Sequence, residues 1–478
     1  AQSAQPPLLF SGAAPALSQR AGRACRGKPM LCLAVGRGAS NGVRATLARR
    51  GWLPGAAPHA KGLAGPSWLR PKSVAVVVGQ EACGGAGAAA AGAPARPFAG
   101  LRSRVVALLN AEGGLVKPGY ERLVGTWLAG ASGMLFSMIA IGGYTRLSGS
   151  GLSMTDWRIQ GRRLPFSQEA WEREFEEYKR YPEYQRLHAG SMELDEFKRI
   201  YFVEWFHRMW GRGAGLYFAV PLTYFAVRGI LRPALAVRLT GLLGLGVSQA
   251  FVGWWMVRSG FDPPEKHTPT LGANQRPRVS PYRLASHWTA ALTLYCGCVW
   301  HALSLLRPSP ETMHKTATAV AAAARCRRLA LPVAGILGAT LLSGPFVAGN
   351  DAGHAYNTWP KMIDDWVPPE WLTAAAAPLS RWRAFFEDTA VVQFDHRCLA
   401  YTSVLSTLAL SAYAAAQPLA PAAASAVRLL PIAVAGQMCL GIATLLLYVP
   451  IELGVAHQAG GVAVLTTLLV VLNSLRLP

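Results

Sequence analysis

The chain has 478 residues, 51% hydrophobic and only 15% charged, a balance that excludes an ordinary soluble domain and indicates a polytopic membrane protein. Its net charge of +22 would suit a nucleic-acid binder if spread over a folded face. Instead, residues 1–110 hold fourteen Lys or Arg against one acid, Glu81, and supply +13 of it.

That opening stretch is rich in Ala, Gly, Pro and Arg and shows no sustained apolar period. It reads as an organelle transit peptide with a low-complexity linker. A disordered nucleic-acid-binding arm is the rival reading, and no nucleic-acid partner is expected. Cys25, Cys32, Cys83, Cys296, Cys298, Cys326, Cys398 and Cys439 show no disulfide framework and are read as unpaired.

Eight apolar runs follow, at about 123–144, 201–227, 236–257, 283–306, 329–349, 391–416, 428–449 and 453–474. Each is long enough to cross a hydrocarbon core of about 30 Å, and spans of this length must be helices. The predicted class is all-α, with membrane lipid as the surrounding partner. The connections after the second, fourth and sixth runs carry nine Lys or Arg and one acid, Glu311. Under the positive-inside rule these face the matrix, or the cytoplasm if the chain is bacterial, which puts both termini on that inner side.

Every even-numbered run then enters from the outer side, and each carries a histidine near its start: His207, His287, His396 and His457. A polar group inside a membrane helix is costly and therefore a functional candidate. Histidine ligates haem iron through a neutral ring nitrogen, and two facing helices can clamp the iron from both sides. A single such histidine is as well explained by a hydrogen bond to a neighbouring helix. Four at matching positions favour ligation, all at similar depth below the outer surface. Zinc fits poorly without nearby Cys or carboxylates, and a proton relay is the other rival. His301, at the opposite end of its helix, and His354, in an outer loop, are weaker candidates. His59, His188, His267 and His314 receive no role.

The runs also repeat. Gly151–Trp157 (GLSMTDW) echoes Gly353–Trp359 (GHAYNTW), His207-Arg208 echoes His396-Arg397, and His287 echoes His457. The chain divides into a leader at 1–110 and two four-helix halves at about 120–307 and 328–475. Arg208 and Arg397 follow a candidate ligand, while Arg146 and Arg283 flank outer helix ends. These four either pair with haem propionates or snorkel to the interface.

Glu204 lies three residues before His207, on nearly the same helix face. Its counterpart before His396 is Gln393. A carboxylate beside one haem stabilises positive charge or moves protons, whereas a site without it suits electron transfer alone. The rival reading is a helix-start charge favoured by the dipole.

EWFHR (204–208), PRVSPYRLASH (277–287), GGYTRLSGSGLSMTDW (142–157) and GPFVAGNDAGHAYNTWP (344–360) together resemble the haem A synthase family, mitochondrial Cox15 type. The likeness covers about 120–475. It implies eight transmembrane helices in two pseudo-symmetric four-helix bundles in the mitochondrial inner membrane. It further implies that His207 and His287 hold the iron of haem O as substrate, that His396 and His457 hold haem b, and that Glu204 is catalytic. The implied reaction oxidises the C8 methyl of haem O to a formyl group, with water as oxygen source. Implied partners are the haem O synthase that supplies the substrate and an electron acceptor of unidentified kind; the oligomeric state, homo-oligomer included, stays open. The cysteine pair that some bacterial members carry in the first outer loop is absent. The alternative of another class is a non-catalytic dihaem electron carrier or haem-transfer module.

Overall fold

The computed structural model describes residues 114–478, apart from 155, 159, 262–277 and 375–380. The leader and the 262–276 connection lie outside the described residues. Eight long helices carry the chain: α1 Glu121–Leu147, α2 Leu194–Val227, α3 Pro233–Ser259, α4 Pro281–Leu306, α5 Ala317–Gly349, α6 Thr389–Ala415, α7 Pro421–Leu446 and α8 Ile451–Ser474.

Their starts follow local chemistry. Pro opens α3, α4 and α7, where its missing N–H costs nothing. Glu193 and Glu196 form a capping box on α2, Thr316 caps α5, and Asp388 accepts from Val391 N on α6. Between α7 and α8 the chain turns at Tyr448 and Val449, both with left-handed φ, before Pro450.

Seven of these helices are long and apolar enough to cross a membrane, among the described residues. The expectation was eight, and the difference is α2. It begins at Leu194, well before the apolar run, and its first half carries Asp195, Glu196, Lys198, Arg199, Glu204 and Arg208. The half that remains is only weakly apolar, interrupted by Gly211, Arg212, Gly213, Gly215 and Pro221. Helix α5 also begins earlier than the expected 329, because an Ala-rich segment from Ala317 extends it inward.

Helix α1 packs on α2 and α4, and α3 on α2 and α4; likewise α5 packs on α6 and α8, and α7 on α6 and α8. Helices α1–α8, α4–α5 and α4–α8 meet as well. The buried residues at these contacts are largely small or branched, such as Ala323, Cys326, Ala330 and Val462, which lets backbones approach closely. Two side-chain bonds of similar form tie α4 to α5 and α8 to α1. Trp288 Nε1 donates to the Leu341 carbonyl at 2.9 Å, and Gln458 Nε2 donates to the Ile139 carbonyl at 2.7 Å.

The connection between α1 and α2 forms a cap of its own. A helix at Gln168–Tyr178 and a turn at Tyr184–His188 bury Phe175, Tyr178, Phe197 and Tyr201 in one aromatic cluster with Met154. At the other end, residues 115–117 lie beside 230–232: Lys117 N donates to Ile230 O and Arg232 N to Leu115 O.

Candidate functional site

The four histidines follow one rule. Each ring, on an even-numbered helix, presses on a glycine of the preceding odd-numbered helix. A Cβ on Gly142 would lie 3.0 Å from Cε1 of His207, and one on Gly253 3.4 Å from that of His287. On Gly344 it would lie 3.9 Å from Cε1 of His396, and on Gly441 2.8 Å from that of His457. An added methyl would crowd the ring at Gly441 and Gly142, and would make ordinary contact at Gly253 and Gly344. The His207 and His287 rings lie within electrostatic reach of each other, as do those of His396 and His457. The structure therefore brings the predicted residues together as two pairs.

These pairs suit a haem. Nδ1 of His207 and Nδ1 of His287 are buried without a hydrogen-bond partner, so no protein group holds these rings at that nitrogen. In the other pair, Ser343 Oγ sits 2.6 Å from His396 Nδ1, and Gln437 Nε2 sits 3.0 Å from His457 Nδ1. An acceptor at Nδ1 orients a ring whose Nε2 is to bind metal, a part the Ser343 oxygen can play, whereas the Gln437 nitrogen donates and fixes only the ring's position. The glycines and these partners were not read from the sequence. The signal that could have found them is the repeat: Gln249 precedes Gly253 by four residues, as Gln437 precedes Gly441. The Gln249 amide is buried and unbonded at both its nitrogen and its oxygen.

Glu204 is buried and accepts a hydrogen bond from Arg208 Nε one turn later. The rest of that guanidinium binds the α1–α2 connection: Nη1 donates to the Asp156 carbonyl and Nη2 to the Met154 carbonyl, each at 2.9 Å. Its plane lies over the Trp157 ring at 4.4 Å. The second half repeats this design with an amide. Arg397 Nη2 donates to Gln393 Oε1 at 2.9 Å and to the Tyr356 carbonyl at 2.7 Å. Gln393 Nε2 reaches the carbonyls of Ala352 and Ala355. Both arginines thus clamp the connection that precedes their helix onto the helix that carries a histidine.

The other two candidate arginines sit at helix ends. Arg146 donates to the Ala348 carbonyl and faces Asp351 at 3.7 Å, where Arg278 joins it at 2.8 Å. Arg283 donates to the Trp255 carbonyl at 2.7 Å and stacks on the Trp255 ring. Above Glu204, the buried Tyr178 hydroxyl donates to Glu183 at 3.0 Å. Burial pushes the Glu183 carboxyl up to about 7; the Tyr178 bond opposes this and the nearby Glu204 adds to it.

His301 is buried on α4, fourteen residues beyond His287, and His354 is exposed in a short turn. The structure places neither with the two pairs. His314 is buried in the α4–α5 connection with both ring nitrogens unbonded. The five described cysteines are free; Cys25, Cys32 and Cys83 lie outside the described residues.

Comparison with known proteins agrees with this layout. The family model COX15-CtaA, described as cytochrome oxidase assembly protein, matches residues 125–469, from α1 into α8. Heme A synthase COX15 of Arabidopsis thaliana is 47% identical over 362 residues, which is 76% of this chain and 76% of that protein. Heme A synthase COX15 of Homo sapiens is 42% identical over 387 residues, 80% of this chain and 90% of the human one. The heme A synthase of Rhodospirillum centenum is 43% identical over 359 residues, covering 75% and 89%. With a match across most of its length, this chain belongs to the COX15-CtaA family of cytochrome oxidase assembly proteins.

Proposed function

We propose that the chain is a haem A synthase, an oxidoreductase that converts the C8 methyl of haem O to a formyl group for cytochrome c oxidase assembly. One observation carries the reading: two histidine pairs, each ring seated on a glycine, in a chain whose curated relatives bear that name. His207 and His287 would hold the iron of the substrate, haem O, and His396 and His457 that of a resident haem b. When bound, haem b supplies one-electron transfer toward an acceptor outside this chain.

The chain's own residues account for the division of labour. Turning a methyl into a formyl group with water as oxygen source releases protons and electrons inside the protein. Glu204 is the group in the first half that can take a proton or stabilise positive charge, and Gln393 in the second can do neither. Arg208 fixes the Glu204 carboxylate and at the same time holds the loop of Met154–Trp157 over it. Arg146 and Arg283, at the outer helix ends, each hold one carbonyl and keep more donors for propionates than Arg208 and Arg397, which each hold two.

The architecture proposed with this function is eight membrane-spanning helices in two pseudo-symmetric bundles, about 120–307 and 328–475. Helix α2 is the span that apolarity alone does not reveal. The packing of α1–α4 and of α5–α8, each helix on two neighbours of its own set, supports it. The location is the mitochondrial inner membrane with both termini in the matrix. The contact of 115–117 with the α2–α3 connection supports a common side for these segments.

Haem extraction from the purified protein tests the function. The enzyme contains haem b together with haem O or haem A, whereas an electron carrier contains haem b alone.

A further inference from the structure

Both histidine pairs share one frame, but the hydrogen bonds behind the rings differ. Ser343 Oγ lies 2.6 Å from His396 Nδ1 and donates to the Thr340 carbonyl at 2.8 Å. A hydroxyl carries a single proton. With that proton given to Thr340, the serine oxygen accepts, and the proton between serine and imidazole belongs to the ring. His396 is then protonated at Nδ1 and keeps the Nε2 lone pair, the form that binds a metal. His457 differs: the Gln437 amide nitrogen, a donor only, lies 3.0 Å from Nδ1 and 2.9 Å from the His457 carbonyl, so it positions that ring without keeping a proton on Nδ1.

The first pair has neither partner. His207 and His287 are both unbonded at Nδ1. Ser343 immediately precedes the glycine beneath His396; the residue that immediately precedes the glycine beneath His207 is Ile141. Isoleucine has no polar group, so no side-chain rotation restores the missing bond. Gln249, at the place of Gln437, has an amide available but unengaged. One partner is absent from this half and the other is open.

We propose that Ser343 and Ile141 set how long each haem stays: Ser343 locks His396 as a lasting ligand, and Ile141 leaves His207 as the ligand that lets go. This rests on the assignment of the first pair to the substrate haem. A substrate must enter and its product must leave, while a resident haem must do neither. Groups behind a metal ligand typically change metal affinity by roughly 10–100-fold, enough to separate the two behaviours. The unlocked pair is also the one beside Glu204.

The test uses the full-length protein purified with its haems and mixed with excess apomyoglobin as haem acceptor. Haems remaining on the protein are extracted and identified over time. Ser343→Ala is expected to speed loss of haem b by about 10-fold or more. Ser343→Thr, which keeps the hydroxyl, holds the parent rate. Ile141→Ser is expected to slow loss of the first-half haem by a similar factor, a gain that damage to folding does not mimic. The low-spin electron paramagnetic resonance signal of haem b shifts in Ser343→Ala and not in Ser343→Thr. Parent-like rates and signal in both Ser343→Ala and Ile141→Ser overturn the proposal. If His207→Ala and His396→Ala each keep both haems, the ligand assignment fails. If each loses one haem while the serine and isoleucine variants change nothing, only the present inference fails.

Discussion

The carboxylate of Glu204 accepts a 2.5 Å hydrogen bond from Arg208, one turn along the same helix. Gln393 takes the corresponding bond from Arg397 at 2.9 Å, so the chain itself shows that an amide can hold such an arginine. Glu204→Gln is therefore expected to fold, keep the α1–α2 connection clamped and bind both haems. It loses the charge and the proton-accepting group. Haem A formation should fall by about 10²–10³-fold, with haem O accumulating in extracts. Gln393→Glu does not restore it. Normal haem A output from Glu204→Gln would leave this residue as an anchor for Arg208 and nothing more.

Glu204→Ala separates the two roles. It leaves the buried Arg208 guanidinium without its counter-charge, which typically costs about 3–5 kcal/mol. Thermal unfolding in detergent should occur at lower temperature than for Glu204→Gln. Equal melting temperatures for the two variants would show that the hydrogen bond from Arg208 to the side chain at 204 does not hold the loop.

The glycine contacts predict a graded series. Alanine at Gly441 puts a methyl group 2.8 Å from the His457 ring, whereas at Gly344 the gap to His396 is 3.9 Å. Gly441→Ala should lose most haem b and Gly344→Ala little. Gly436→Ala, on the same helix as Gly441 with nothing within 4 Å, serves as the control. The pyridine haemochrome of each purified variant reads the result; full haem b in Gly441→Ala would remove the cradle from the argument.

The ligand pairs make a plainer forecast. His396→Ala and His457→Ala should each lower haem b content while leaving the first-half haem in place. Unchanged haem b in both would reject these ligands.

Glu183 gives the pH dependence. Its carboxyl is raised from the ordinary 4.5 to about 7, chiefly by burial, so the folded chain holds that proton more tightly than the unfolded one. This contribution to stability is fully present below about pH 4.5 and is lost as pH rises through about 7. Between pH 5 and about 7.5 the melting temperature should decline, and Glu183→Gln should flatten the decline. An identical slope in the variant would assign the effect to other groups.

Much of this was legible beforehand. Apolar length marks seven of the long helices, and the repeat marks all four histidines, because both signals are carried by residue type and spacing. Helix α2 was half legible: its capping residues Glu193 and Glu196 are visible, but its charged foot hides the earlier start from a hydropathy reading. The partners of Arg208 were not legible at all. They are main-chain carbonyls at Met154 and Asp156, more than fifty residues away, and a carbonyl has no letter in the sequence. The same holds for the glycines under the rings, whose meaning depends on which helix lies opposite.

The two bonds between halves bear on the order in which the chain is made. Trp288 leaves the ribosome before Leu341, the group it will bind, whereas the Ile139 carbonyl waits for Gln458, near the end of translation. Helix α1, the first long helix to enter the membrane, is thus fastened by the last. A chain that stops before α8 lacks both Gln458 and His457, so one truncation undoes the closure and one histidine pair together.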